Sequence, residues 1–253
     1  MEKNKITVLG GGSFGTAIAN MIASNGHPVT LWMRDVENAR HCMDAGENTP
    51  YLPGYKLDPR LEVSADLEAA LEGTSVVFFS IPSKAFRSVC QQVVTLIPAQ
   101  TIVVSTVKGI EGDSFKLMSE ILAEELNQPR IGVISGPNLA QEVAAREITA
   151  TVIASADETV CLTVQDALQT TFFRVYANSD MYGVELAGAL KNIYAISAGM
   201  AASLKVGQNS VGVLITRSLA EMTRFAAHLG ADPMTFLGLS GVGDLFVTCA
   251  SEL

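Results

Sequence analysis

A chain of 253 residues is long enough for one large domain, or for one domain and part of a second. With 48% hydrophobic and 17% charged residues it buries a core, which excludes disorder. A net charge of −9 disfavours a nucleic-acid surface, which needs clustered Lys and Arg, and requires that any phosphorylated ligand be met by locally placed cations.

Ile6-Thr7-Val8-Leu9 reads as a short apolar strand ending at glycines. Residues 16–24 then carry helical apolar spacing closed by Asn25-Gly26, and residues 29–33 read as a second strand. Strand, helix and strand within about thirty residues is a βαβ unit. Further apolar strands are predicted at residues 75–81, 101–107, 130–135 and 150–155, with helices at 86–96, 114–126 and 159–168 between them. Strands that are apolar throughout suit a sheet covered on both faces, and their alternation with helices predicts a Rossmann-like, doubly wound α/β fold with a mostly parallel sheet. From about residue 180 the strand pattern stops. Residues 182–205 and 210–229 read as two long helices, and Asp232-Pro233 as an N-cap and first helical position. The expected organisation is a nucleotide-binding domain over residues 1–180 and the start of an all-helical second domain over 181–253. Residues 183–204 resemble a membrane span in composition, but Glu185, Lys191 and Asn192 are costly in lipid, so a buried helix and no membrane span are expected.

The scattered Cys42, Cys90, Cys161 and Cys249 form no CxxC and read as reduced, space-filling thiols. His27, His41 and His228 are equally scattered, so no metal is expected. The first residues run into a strand without an apolar signal segment, so a cytoplasmic location is expected.

In an open α/β sheet, ligands gather beyond the carboxyl ends of the strands. Those ends here are Gly10 to Gly15, Arg34, Pro82, Lys108 and Gly136-Pro137-Asn138. Gly10, Gly12 and Gly15 spell G-x-G-x-x-G between a strand and a helix inside a βαβ unit, the context that makes this motif a dinucleotide site rather than a structural turn. After the second strand, Arg34 precedes Asp35. An acidic residue there would take the ribose 2′-hydroxyl of NAD and an arginine the 2′-phosphate of NADP, so NADP is the preferred cofactor and NAD a secondary one, the alternative for Arg34 being an ordinary exposed cation. Lys108 at its strand end would serve a nicotinamide ribose, or else be a solvated loop lysine. Lys191 lies in an apolar helix among Ala187, Gly188 and Ala189. Such a lysine needs a partner or a lowered pKa, which makes it an acid–base candidate, unless its head reaches solvent along a packed stem. No Tyr-x-x-x-Lys and no histidine at a strand end occur, which excludes short-chain dehydrogenase chemistry and disfavours that of lactate or malate dehydrogenase.

Taken in order, Gly10-Gly11-Gly12-Ser13-Phe14-Gly15-Thr16-Ala17, Ser105-Thr106-Val107-Lys108-Gly109, Ser135-Gly136-Pro137, Leu186-Ala187-Gly188-Ala189-Leu190-Lys191-Asn192, Ile215-Thr216-Arg217-Ser218-Leu219-Ala220-Glu221-Met222 and Gly241-Val242-Gly243-Asp244-Leu245 span nearly the whole chain. This series resembles the bacterial NAD(P)-dependent glycerol-3-phosphate dehydrogenases. The resemblance implies that Ser13, Phe14, Arg34 and Ala140 hold the cofactor and that Lys108 touches both cofactor and substrate. It implies that Gly136, Asn138 and Asp244 contact the substrate and that Lys191 is the acid–base residue. The implied reaction is reversible reduction of dihydroxyacetone phosphate to sn-glycerol 3-phosphate for glycerophospholipid synthesis. The implied partners are a small phosphorylated substrate and, at most, a second copy in a homodimer. Asn138 stands where the family usually has Ser or Thr, and a small effect is expected. The family continues into a phosphate-binding Ser-Arg-Asn segment, whereas this chain stops at Ser251-Glu252-Leu253. An incomplete helical domain is therefore expected, with cofactor binding retained and catalysis by these 253 residues lost. Two alternatives stay open: another hydroxy-acid or sugar-phosphate dehydrogenase with the same lysine-bearing helix, and a non-catalytic NADP-sensing module.

Overall fold

The computed structural model describes residues 3–126 and 130–250. Eight strands form one sheet: β1 (Ile6–Leu9), β2 (Val29–Trp32), β3 (Leu61–Ser64), β4 (Val76–Phe79), β5 (Ile102–Ser105), β6 (Ile131–Ser135), β7 (Thr149–Ala154) and β8 (Phe173–Asn178). Their spatial order is β3-β2-β1-β4-β5-β6-β7-β8. The first six are mutually parallel, while β7 runs antiparallel to β6 and β8 parallel to β7. From β1 the chain winds outward to β2 and β3, then returns to β4 on the other side of β1. The crevice at that reversal is where an open sheet of this kind takes its ligand.

The helices of this half are α1 (Ser13–Ser24), α2 (Val36–Ala45), α3 (Leu67–Leu71), α4 (Phe86–Val93), α5 (Met118–Leu126), α6 (Ala140–Ala144) and α7 (Glu158–Leu168). Alternate strand residues serve two separate cores. Ile6, Val8, Val76, Phe78, Ile102 and Val104 pack with α1 and α7, whereas Leu9, Val77, Phe79 and Val103 pack with α4 and α5. That two-sided burial is why these strands read as unbroken apolar runs.

Several elements differ from the sequence expectation, among them the helices α2, α3 and α6, which were not expected. β3 and β8 were not expected, and both are sheet edges: β3 is only partly covered, and β8 alternates buried Phe173 and Val175 with exposed Arg174 and Tyr176. The sheet is mostly parallel, as expected, and β7 reverses because the short α6 returns the chain beside β6 without crossing the sheet. The helix expected from residue 114 starts at Met118, after Phe115 takes a left-handed φ of 58°.

From residue 181 onward all described elements are helical: α8 (Met181–Ser203), α9 (Gln208–His228), α10 (Pro233–Phe236) and α11 (Asp244–Ala250), with a π-helical turn at Leu239–Gly243. Asp232 caps α10 through the N–H of Met234, as its pairing with Pro233 predicts. The expectation that the helix over residues 183–204 is buried holds only for its first half. Val184 packs on Val133 and Val152 of the sheet, and Leu186, Ala187 and Leu190 form a core with Met222, Phe236 and Leu245. Beyond Lys191 the helix exposes Ile193, Ile196 and Met200, and Leu204 just past its end is exposed too. Among the described residues no helix is long and apolar enough to cross a membrane.

Candidate active site

The glycine loop follows β1 and opens α1. Gly10 has φ +118°, and a Cβ there would lie 2.2 Å from Ser80 O; a Cβ on Gly15 would lie 2.0 Å from Gly10 O. Both positions therefore demand glycine. A Cβ on Gly12 would meet nothing within 4 Å, so that side of the loop faces open space. Gly12 is the N-cap of α1 and no side chain caps the helix; the first intrahelical bond runs from Thr16 N to Gly12 O at 2.9 Å. The N–H groups ahead of it have no intrahelical acceptor and, with the positive dipole end, form an anion site.

This loop is one wall of a groove of about 420 Å³ that also takes in Phe14, Trp32, Arg34, Asp35, Ser80 and Pro82. The groove fits a dinucleotide: it is open at Gly12, rich in free N–H groups, and closed beneath by the tight Gly10–Gly15 contact. Asp35, the acidic competitor for the ribose, also lines the groove, with one carboxylate oxygen engaged. It caps α2 by accepting from Asn38 N at 3.0 Å. Arg34 is exposed in the groove wall and makes no ion pair among the described residues. Ser13 also lines the groove, though its hydroxyl donates to Tyr51 O at 2.5 Å.

A second cavity of about 210 Å³ lies beyond Phe14, which borders both spaces; Thr106, Lys108, Ile134, Ser135 and Asn138 complete it. Here the ends of β5 and β6 meet α8 and α11. Lys108 Nζ donates to Gly136 O at 3.0 Å and to Asp244 Oδ2 at 2.5 Å. Lys191 Nζ donates to the other carboxylate oxygen, Asp244 Oδ1, and to Thr248 Oγ1 at 2.6 Å. Thr248 spends its own proton on Asp244 O at 2.7 Å, so its oxygen is left to accept from Lys191. Lys191 and Asp244 are buried. Burial drives the Lys108 ammonium down from the ordinary lysine range to about 8; the Asp244 carboxylate opposes that fall and the Lys191 charge adds to it. Of the two outcomes expected for Lys191, a partner or a lowered pKa, the structure supplies the partner, Asp244.

Three further features shape this centre. Gly188 faces Ser135 and the stem of Lys108: a Cβ there would lie 2.7 Å from Ser135 Oγ and 3.5 Å from Lys108 Cγ. Ser135 Oγ has no hydrogen-bond partner among the described residues. Asp244 starts α11 directly after the π-helical turn, where a Cβ on Gly241 would lie 2.0 Å from Phe236 O. Such turns recur where a functional side chain has to be re-aimed. Glu185, one turn and a half before Lys191, accepts from Ser119 N and Oγ at the start of α5, and burial pushes its carboxyl up to about 7.

The structure thus brings together Lys108, Gly136, Asn138, Lys191 and Asp244, and separately Gly10, Gly12, Ser13, Phe14, Gly15 and Arg34. Two expected residues are placed differently. Ala140 opens α6, packs against the core, and is in the wall of neither cavity. Asn138 lines the second cavity, but its amide donates to Ala150 O at 3.0 Å and accepts from Thr151 Oγ1 at 2.7 Å, so its polar atoms already brace β7. Thr248 was not singled out from the sequence; its place one helical turn after Asp244 is the signal that could have found it.

Residues 5–161 match the family described as the NAD-dependent glycerol-3-phosphate dehydrogenase N-terminus, and residues 180–253 match the corresponding C-terminus. The chain is 57% identical to the glycerol-3-phosphate dehydrogenase [NAD(P)+] of Teredinibacter turnerae, over 98% of this chain and 73% of that protein. It is 59% identical to the enzyme of the same name from Ectopseudomonas mendocina, over 99% of this chain and 73% of that one. The crystal structure of glycerol-3-phosphate dehydrogenase from Coxiella burnetii superposes with a TM-score of 0.96 at 40% identity, covering 100% of this chain and 77% of the other.

Proposed function

This chain belongs to the NAD-dependent glycerol-3-phosphate dehydrogenase family, and on that premise we propose how its own residues divide the work of the reaction. It is an oxidoreductase of the glycerol-3-phosphate dehydrogenase [NAD(P)+] type. The substrate pair is dihydroxyacetone phosphate and sn-glycerol 3-phosphate, and the product serves glycerophospholipid synthesis. NADPH is the preferred reductant. The observation behind that preference is that both residues after β2 line the groove, but one Asp35 oxygen already caps α2 while the exposed Arg34 has no ion pair among the described residues.

Gly10, Gly12, Ser13, Phe14 and Gly15 hold the pyrophosphate and the adjacent part of the cofactor, and Arg34 holds the 2′-phosphate. Bound there, the reduced nicotinamide supplies a hydride to C2 of the substrate. Lys191 Nζ has three protons, two of them engaged by Asp244 and Thr248. The third is given to the oxygen developing charge at C2, and in the oxidative direction the neutral amine takes it back. Asp244 keeps the Lys191 head in place and, through its second oxygen, keeps Lys108 beside it. The carboxylate and two ammonium groups leave one net positive charge, which attracts the anionic substrate to an otherwise acidic protein. The pairing of Lys108 and Lys191 on one buried carboxylate is the single observation that carries this assignment.

The test is a comparison of reduction rates with NADPH for dihydroxyacetone phosphate and a panel of 2-keto acids. Dihydroxyacetone phosphate is expected to be preferred by kcat/KM; preference for a keto acid would overturn the substrate assignment.

A further inference from the structure

The segment joining α2 to β3, residues 46–60, contains no motif singled out from the sequence, yet it presses on the glycine loop at two points. One is the Ser13 hydroxyl on Tyr51 O. The other is Asn48, which is wholly buried: its Nδ2 donates to Gly11 O at 2.9 Å and to Thr16 Oγ1 at 2.7 Å. The orientation of this amide is forced, because Gly11 O can only accept and so must face the NH₂ end. Asn48 stands behind the groove wall rather than in it.

We propose that Asn48 is a positioning residue that sets the polarity of the Gly11–Gly12 peptide and so aims Gly12 N–H at the cofactor pyrophosphate. This rests on the dinucleotide reading of the groove. The described peptide bonds are trans, and in a trans unit the C=O and N–H point in opposite directions. With Gly11 O drawn inward to Asn48, Gly12 N–H faces outward. Outward is the groove, which Gly11 and Gly12 line and where a Cβ on Gly12 would meet nothing within 4 Å. A flipped peptide would present the carbonyl to the pyrophosphate and turn attraction into repulsion.

The loop needs such a latch because of its composition. Three consecutive glycines, Gly10 to Gly12, have access to both signs of φ, so rotation of the peptide plane between them meets little steric resistance. A latch from outside the loop supplies what the glycines cannot. By also holding Thr16, the same amide ties the loop to the first turn of α1, so the Gly12, Ser13 and Phe14 N–H groups face the ligand as one preorganised set.

Direct binding of NADPH, followed by fluorescence titration, tests the proposal. Competition by adenosine 2′-monophosphate is measured alongside, since that ligand carries the 2′-phosphate but no pyrophosphate. Asn48→Asp keeps the side-chain shape and replaces both donors with acceptors. It is expected to raise the NADPH Kd by about tenfold or more, the loss of one charge-assisted hydrogen bond. The 2′-monophosphate constant should stay within about twofold. Lowering the pH to about 5, where the introduced carboxyl takes up a proton and can donate again, should recover part of the loss. Asn48→Ser, small and uncharged, should show the same split should the buried carboxylate prevent folding. Equal weakening of both ligands would make Asn48 a general support of the fold and overturn the proposal, as would unchanged NADPH affinity. Failure of the unsubstituted protein to bind NADPH would instead remove the dinucleotide reading beneath it.

Discussion

Lys108 and Lys191 direct their ammonium groups at the two different oxygens of one carboxylate, that of Asp244. The three residues come from the end of β5, the middle of α8 and the start of α11, so the cluster exists only when the helical region is seated on the sheet. Two like charges this close would repel if nothing lay between them. The buried carboxylate offsets that repulsion and leaves each lysine with a donor to spare.

If Lys191 supplies the proton, truncating it removes chemistry and leaves the groove untouched. Lys191→Ala should lower kcat by about 10²- to 10⁴-fold, the usual worth of a positioned acid. The NADPH Kd should stay within about twofold, measured by titration. Equal losses in rate and cofactor affinity would make Lys191 a structural residue.

The pH dependence follows from Lys108. Its proton affinity is depressed to about 8, so its charge is present below that pH and lost above it. The KM for the phosphorylated substrate should therefore rise as pH climbs through about 8, where the cation disappears. Lys108→Arg keeps a charge at all accessible pH and should flatten that inflection, even if it lowers the rate. The linkage sign for stability is the reverse: between about 8 and 10.5 the unfolded chain holds this proton and the folded one does not, so this lysine penalises folding less as pH rises. A KM profile flat to pH 10 would contradict the assignment.

If Arg34 holds the 2′-phosphate, it decides between the cofactors. Arg34→Ala should raise the NADPH Kd by about tenfold or more, as loss of a guanidinium–phosphate pair does, and leave NADH within about twofold. Equal effects on both would return Arg34 to the role of an ordinary surface cation.

Gly188 sets how closely α8 approaches β6. Alanine is favoured over glycine inside a helix by about 1 kcal/mol, so propensity alone predicts a stabilised Gly188→Ala. The 2.7 Å contact with Ser135 Oγ opposes it, and overpacking of this kind costs about 1–3 kcal/mol. We expect Gly188→Ala to displace Lys108 and cut kcat/KM by about tenfold to a hundredfold. Ser135→Ala, which removes an oxygen with no partner among the described residues, should be nearly silent alone and should rescue the first substitution in the double variant. Absence of rescue would place the conflict elsewhere.

Much of this fold was legible in the amino-acid sequence. The Gly10–Gly15 loop, the two-sided apolar strands and the long helices after residue 180 are written in neighbouring residues, because turn chemistry and periodicity act over one or two turns of chain. The same local character explains the misses. β8 buries one face and β3 is only partly covered, so neither shows an apolar run. The direction of β7 depends on which way the chain turns after Gly136, and neither direction alters the strand's own residues. Lys191 could be recognised as unusual from its apolar helix, but its partners Asp244 and Thr248 lie more than fifty residues away. Lys108 was found as a strand end, while its lowered proton affinity required knowing what buries it. Asn48 carried no signal, since an asparagine in a loop is ordinary until its amide is seen against Gly11 O. Only the tertiary structure decided these points, because burial, the sharing of one carboxylate and the orientation of one peptide are properties of groups brought together from distant parts of the chain.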